Sequence, residues 1–387
     1  MSNETILKID DIYDKNLNFL IGSGASYGLF PTLGLAIKDK DGNPQTIETL
    51  ATLFQKNEKT DVEYTSLFMH YYKSCIEPVM KIDFETLEIG GDPNEIKVLE
   101  NYQEFVKTIL SILQRKKDGR RCNVFTTNYD GCFTYAADVL LQSGNIDFVI
   151  NDGARGFNKR YLQAKNFNSY LCQTGIFERH QSEIPQINLI HLHGSAYWYK
   201  DGDNIFVDHL KDHNLRRCVD DAIFKGLNAF SDVLLDDTKT IADITAIKID
   251  RDDKDKFWET YKTLPIVNPT KWKFHETVFE EHYYQMLRLL SYELERPNAI
   301  FITFGFSFAD EHILRLVQRS LSNPTLQLYV CCFNREEFES MEYHFRGFDN
   351  VMLLAVDGNL DFTAFNDKVF SRKPTLVELS DEADHDD

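Results

Sequence analysis

The feature that most restricts the fold of this chain is a set of short apolar runs that stop abruptly at glycine or a small polar residue. Leu17-Asn18-Phe19-Leu20-Ile21 stops at Gly22, and Asn123-Val124-Phe125-Thr126-Thr127 stops at Asn128. Ile187-Asn188-Leu189-Ile190-His191-Leu192-His193 stops at Gly194, and Ala299-Ile300-Phe301-Ile302-Thr303-Phe304 stops at Gly305. A fifth run, Leu326-Gln327-Leu328-Tyr329-Val330-Cys331-Cys332-Phe333, follows the turn Asn323-Pro324. Short runs of this kind suit strands covered on both faces, as in a parallel sheet. Between them, helical spacing places Leu99, Tyr102, Val106, Ile109, Leu110 and Leu113 on one apolar stripe over residues 96–115. A second stripe, with Val278, Tyr283, Met286, Leu287 and Leu290, covers 275–295.

Strands alternating with helices predict an α/β fold: a doubly wound, mostly parallel, Rossmann-like sheet in one domain over residues 1–374. Two stretches interrupt it, 36–95 and 200–262, both expected as helical insertions. The second is charge-rich, and Lys254-Asp255-Lys256 reads as an exposed excursion. Residues 375–387 are expected to form an acidic disordered tail.

Charge narrows the partners. The formal net charge is −19, which repels a phosphate backbone at long range, so no autonomous nucleic-acid binding is expected. An anionic small ligand would have to be held by local amide dipoles. The 7 cysteines are scattered without a CxxC pair, so neither a disulfide framework nor a zinc module nor any other bound metal is expected. The polar start of the chain lacks the apolar core of a signal peptide, and no apolar run approaches a membrane span of ~20 residues. A cytoplasmic setting with no membrane association is the expectation.

Four strand ends carry chemistry. Gly22-Ser23-Gly24-Ala25-Ser26 can turn sharply and present amides, at the start of a following helix, to a pyrophosphate; an ordinary strand-to-helix turn is the plain alternative. It is not the GxGxxG of dehydrogenases, because position 27 is Tyr27. In Thr126-Thr127-Asn128-Tyr129-Asp130, Asn128 can bind a ribose hydroxyl or orient a water, although Asn and Asp also cap helices. In His191-Leu192-His193-Gly194-Ser195, strand periodicity would put both imidazoles on one face. A metal pair finds no third ligand at suitable spacing. His193, next to the glycine, is preferred as a proton acceptor and His191 as a structural neighbour. In Gly305-Phe306-Ser307-Phe308-Ala309-Asp310-Glu311-His312, Gly305 permits close approach and Ser307 can bond a phosphate or ribose oxygen. Asp310 is read as a helix cap or a ribose ligand, with neither preferred.

These four motifs, in this order across residues 22–312, resemble those of the sirtuin-like superfamily, and more closely the bacterial sirtuin-like NADases of antiphage defence. One branch of these pairs with a HerA-type hexameric ATPase, and the length and insertions here are similar to it. The resemblance implies that Gly22, Ser23, Gly24, Ala25 and Ser26 line the NAD pyrophosphate. It implies that Asn128 and Asp130 contact the nicotinamide ribose, with Thr127 beside them, that His193 is the catalytic base, and that Gly305 and Ser307 hold the adenosine half. Thr127 stands where protein deacylases of the family have Gln, and Cys218 is the one cysteine between His193 and Gly305. The four-cysteine module of the deacylases is therefore missing, which favours water over an acyl-lysine as acceptor. The implied reaction is hydrolysis of NAD+ to nicotinamide and ADP-ribose, catalysed by His193, Asn128 and Asp130, with no cofactor beyond NAD as substrate. A homo-oligomer and a partner ATPase are the implied gates. Rival readings are an NAD- or ADP-ribose-binding regulatory subunit, a protein deacylase, and a nucleic-acid-processing component of a defence complex.

Overall fold

The computed structural model describes residues 7, 9–55, 61–174, 181–269 and 277–372; the acidic stretch 375–387 lies outside them. Its centre is a seven-stranded sheet built from β1 (Asn16–Ile21), β2 (Arg121–Thr126), β3 (Val149–Asn151), β4 (Gln186–His191), β5 (Ala299–Phe304), β6 (Gln327–Cys331) and β7 (Val351–Leu354). The strand order is β7-β6-β5-β1-β2-β4-β3, and every neighbouring pair is parallel. After β1 the chain adds strands on one side, and from β5 onward it adds them on the other. The order reverses between β1 and β5, and in such sheets the loops at the carboxyl ends of the strands diverge there to leave a ligand crevice.

The flanking helices include α1 (Pro93–Arg115), α2 (Cys132–Gln142), α3 (Thr277–Leu294), α4 (Glu311–Ser320) and α5 (Arg335–His344). The start of α1 is fixed by Asp92, whose carboxylate accepts from the Asn94 amide, with Pro93 in the first turn where its missing N–H costs nothing. Alternate side chains of each strand enter opposite layers. Leu17, Phe19 and Ile21 pack with Phe105, Ile109, Phe133 and Ala136 of α1 and α2. Leu20, Phe125, Ile190 and Phe301 pack with Met286, Leu290, Ile313 and Val317 of α3 and α4. Helices thus cover both faces, and the doubly wound α/β architecture expected from the alternation is what the chain adopts.

A row of buried amides crosses four strands. Asn18, Asn123 and Asn188 stand in register on β1, β2 and β4. Asn123 Nδ2 donates to Asn18 Oδ1 and Asn188 Nδ2 to Asn123 Oδ1, each at 2.8 Å. Asn151 of β3 and Gln186 both donate to Asn188 Oδ1, at 3.0 and 2.8 Å. Each amide answers the next, so the row adds no unpaired group to the core.

Three expectations need correction. First, β2 and β4 stop at Thr126 and His191, so Thr127 and His193 belong to loops. Second, β3 and β7 were not foreseen. Third, 200–262 is not an exposed excursion. The strands Trp198–Asp201 and Asn204–Val207 form a hairpin within a separate four-stranded sheet, whose other strands are Ala154–Arg155 and Tyr161–Leu162. The helices that follow pack against those of 36–95. Phe257 is fully buried, Trp258 lies parallel to Tyr64 with centroids 6.0 Å apart, and His70 Nδ1 lies 2.8 Å from Ser231 Oγ. The Tyr72 hydroxyl accepts from the Val219 amide at 2.9 Å, and Lys254 pairs with Asp61. The two insertions therefore make one helical module. The charges of the second sit on its outer face, where Asp255 and Lys256 are largely exposed.

Candidate active site

The glycines of the first and fourth motifs meet each other. The Gly22 amide donates to the Phe304 carbonyl and the Gly24 amide to the Gly305 carbonyl, both at 3.0 Å. A Cβ on Gly22 would lie 2.3 Å from the Gly305 oxygen. One on Gly305, whose φ is +63°, would lie 2.6 Å from the Ala25 nitrogen. Glycine is required here so that two loops can touch backbone to backbone. The helix expected after Gly22 is a single 3-10 turn, Ser23–Ser26. It carries no macrodipole of the size a long helix supplies, and the amides of Gly22 and Gly24 are already committed to the carbonyls of Phe304 and Gly305. Ala25 and Ser26 are buried, while Ser23 is exposed at the lip.

Below this contact lies a buried polar cluster. Asp130 Oδ2 accepts from Ser26 Oγ at 2.7 Å, and Asp130 Oδ1 accepts from the Cys132 amide at 3.0 Å. Ser26 Oγ lies 2.8 Å from the Tyr102 hydroxyl and accepts from Asn128 Nδ2 at 3.2 Å. The Asn128 amide is held in turn by Thr126 Oγ1 at 3.0 Å. Asn128 Oδ1 is buried and finds no donor among the described residues. A cavity of ≈10 Å³, about the volume one water needs, is lined by Tyr102, Thr126, Asn128, Asp130 and His191 together with apolar side chains. Burial, reinforced by the Asp130 charge, pushes the Tyr102 phenol far above its ordinary range and keeps it protonated.

The two histidines of the third motif do not share a partner. His191 Nδ1 lies 3.0 Å from the Asn128 carbonyl, to which it donates, and burial lowers its pKa. It stays a neutral brace for the β2 loop. His193 lies beyond the strand end, and its Nε2 is 3.0 Å from Asp310 Oδ2. Asp310 does two jobs: its Oδ1 accepts from the amides of His312 and Ile313 at the start of α4, at 2.9 and 3.2 Å, while Oδ2 faces His193. Asp310, expected as either cap or ribose ligand, is cap and histidine partner. The Tyr283 ring of α3 sits beside His193, with centroids 6.3 Å apart. Two residues before Asp310, Phe308 is buried with φ +56°, a conformation that costs a non-glycine residue roughly 1–2 kcal/mol. Its ring is held by Phe306 and Phe345 at 5.0 and 5.1 Å. This turn leaves Ser307 and Ala309 exposed and Asp310 buried.

Four links close a ring of loops. Gly24 and Gly305 join the β1 and β5 loops, and Asp310 and His193 join β5 to β4. The Leu192 amide donates to the Thr126 carbonyl at 2.8 Å, joining β4 to β2, and Ser26 with Asp130 joins β2 to β1. The four motifs therefore converge at one edge of the sheet. Thr127 stands between them, half-buried, with its amide donating to the Ile21 carbonyl at 3.2 Å. Sequence reasoning missed Tyr102 as a site residue, because its place on an apolar helical stripe gives no hint of where its hydroxyl goes. Among the described residues, no three His, Cys, Asp or Glu side chains are grouped to hold a metal ion, and no helix is long and apolar enough to cross a membrane. No protein-family model matches the chain, and no curated protein matches it significantly.

Proposed function

We propose that the chain hydrolyses NAD+ at the nicotinamide–ribose bond, giving nicotinamide, ADP-ribose and a proton. The observation that carries the reading is the His193–Asp310 pair, set on the ring of loops that also holds Asn128 and Asp130 at the switch point of the sheet. A part-buried imidazole held by a buried carboxylate is placed to accept a proton.

In this reading NAD lies over the ring, above the small cavity. Gly22, Ser23, Gly24, Ala25 and Ser26 flank its pyrophosphate, Thr127 lies beside its ribose, and Gly305 and Ser307 flank its adenosine half. Exposed Ser23 and Ser307 supply hydroxyls at the lip. As the glycosidic bond breaks, its electron pair leaves with the nicotinamide and positive charge develops on the ribose. Asp130 stabilises that charge, and Asn128 orients the ribose and the attacking water. When Nε2 of His193 donates to Asp310, the accepting lone pair resides on Nδ1, which takes the proton from the ribose hydroxyl or from the water. Asp310 holds the imidazole, a role distinct from the ribose contact expected of it.

Because unrestrained NAD cleavage would deplete a cell, the reading includes a gate, self-assembly or a partner ATPase, in cytoplasmic antiphage defence. The test is to incubate the purified chain with NAD, with and without a HerA-type ATPase, and to separate the products. Nicotinamide plus ADP-ribose is expected, with His193→Ala and Asn128→Ala each slower by roughly 100-fold or more and still folded. If NAD binds but no nicotinamide appears in either arm, the chain is a nucleotide-binding regulatory subunit instead.

A further inference from the structure

The hydrogen bonds around Ser26 have only one consistent direction. Asp130, as a carboxylate, can only accept, so the Ser26 hydroxyl must donate its single proton to Oδ2 at 2.7 Å. The two lone pairs of Ser26 Oγ are then the acceptors for Tyr102 Oη at 2.8 Å and Asn128 Nδ2 at 3.2 Å. Tyr102 must donate, and its strongly raised pKa keeps that proton in place. Asn128 must present its NH2 to Ser26, because its carbonyl there would face lone pairs. The same carboxamide thereby holds Oδ1 on its other side, buried and lacking a donor among the described residues, in a residue that lines the cavity of ≈10 Å³. A buried acceptor left this way costs about 1–3 kcal/mol until a donor meets it.

We propose that Tyr102 is a positioning residue: from the middle of α1 it fixes the direction of this network and so presents Asn128 Oδ1 to one O–H donor, a water, in the cavity. The water donates to Oδ1. The inference rests on the hydrolase reading only where turnover is concerned, since there the bound water stands against the residue assigned to orient the nucleophile.

The test uses the full chain with its partner ATPase and three variants: Tyr102→Phe, Ser26→Ala and the double variant. The Tyr102 ring packs edge-on against Phe362 at 5.0 Å, a contact Phe retains. Tyr102→Phe is expected to lower kcat for nicotinamide release about tenfold with less than a twofold change in KM. If Tyr102 acts through Ser26, the double variant is no slower than Ser26→Ala alone. A wild-type kcat in Tyr102→Phe, or losses that multiply in the double variant, would overturn the proposal. Should the wild-type protein release no nicotinamide, the hydrolase reading fails and the network is judged without it. NMR of the Asn128 side-chain amide then decides: protection from solvent exchange in the wild type and its loss in Tyr102→Phe uphold the proposal, and unchanged protection refutes it.

Discussion

The imidazole of His193 and the carboxylate of Asp310 meet at 3.0 Å although 117 residues separate them in the chain. The carboxylate is shared with a helix start, so the geometry of the imidazole is tied to the folding of α4. One substitution can separate the two jobs. Asp310→Asn keeps an oxygen for the cap and removes the charge. It should lower the rate of nicotinamide release by roughly 10- to 100-fold while the thermal midpoint moves little. Asp310→Ala removes both and should cost about 1 kcal/mol more in stability, read from urea melts. Equal activity in Asp310→Asn and wild type would show that the pair is only structural.

The glycine contact predicts a sharp contrast among Gly-to-Ala changes. Gly305→Ala drives a methyl to 2.6 Å from the Ala25 nitrogen at a φ of +63°, and Gly22→Ala drives one to 2.3 Å from the Gly305 oxygen. Each should destabilise by about 2 kcal/mol or more, since backbone must give way on both sides. Gly90→Ala, at the end of a helix where a methyl meets nothing within 4 Å, should be neutral or stabilise by up to about 1 kcal/mol. Chemical denaturation of the three variants checks the ranking.

The amide row predicts a core in which a hydrophobic replacement hurts. Asn123→Leu strands Asn18 Oδ1, which accepts from Asn123, and removes the acceptor of Asn188 Nδ2. A loss of about 2 kcal/mol or more is expected despite the similar side-chain volume, because the orphaned acceptor is far from water. Urea unfolding of Asn123→Leu against wild type measures it.

Acid should weaken the helical module through His70. Burial holds its pKa down to about 4, against an ordinary 6.5, so the fold favours the neutral ring. The stabilisation is fully present above pH 6.5 and is lost as pH falls toward 4, to a limit on the order of 3 kcal/mol. His70→Gln should therefore be most damaging, relative to wild type, at pH 7.5 and progressively less so near pH 5. A constant difference across this range would refute the assignment.

The strand ends were legible in the sequence because an apolar run that stops at glycine leaves few places for the chain to go. That legibility extended to the convergence of Gly24, Asn128, His193 and Gly305, since parallel strands put their carboxyl ends on one edge. β7 was missed although Val351-Met352-Leu353-Leu354, before Asp357-Gly358, has the same pattern. β3 has three residues and was not readable, because its place is set by pairing with β4. The double duty of Asp310 and the reach of the Tyr102 hydroxyl to Ser26 depend on contacts remote in sequence, which local spacing does not encode. The exposed charges of Asp255 and Lys256 misled because one face of a helix was read for the whole.

The amide row also bears on how the chain is made. Asn123 offers an oxygen that Asn188 answers, and Asn188 draws on Asn151 and Gln186. A ribosome that has released 150 residues has delivered β1 and β2 but not the strand that belongs beside them. Until β4 emerges, the Asn123 side-chain oxygen keeps water as its partner, so this half of the sheet cannot close as a dry layer.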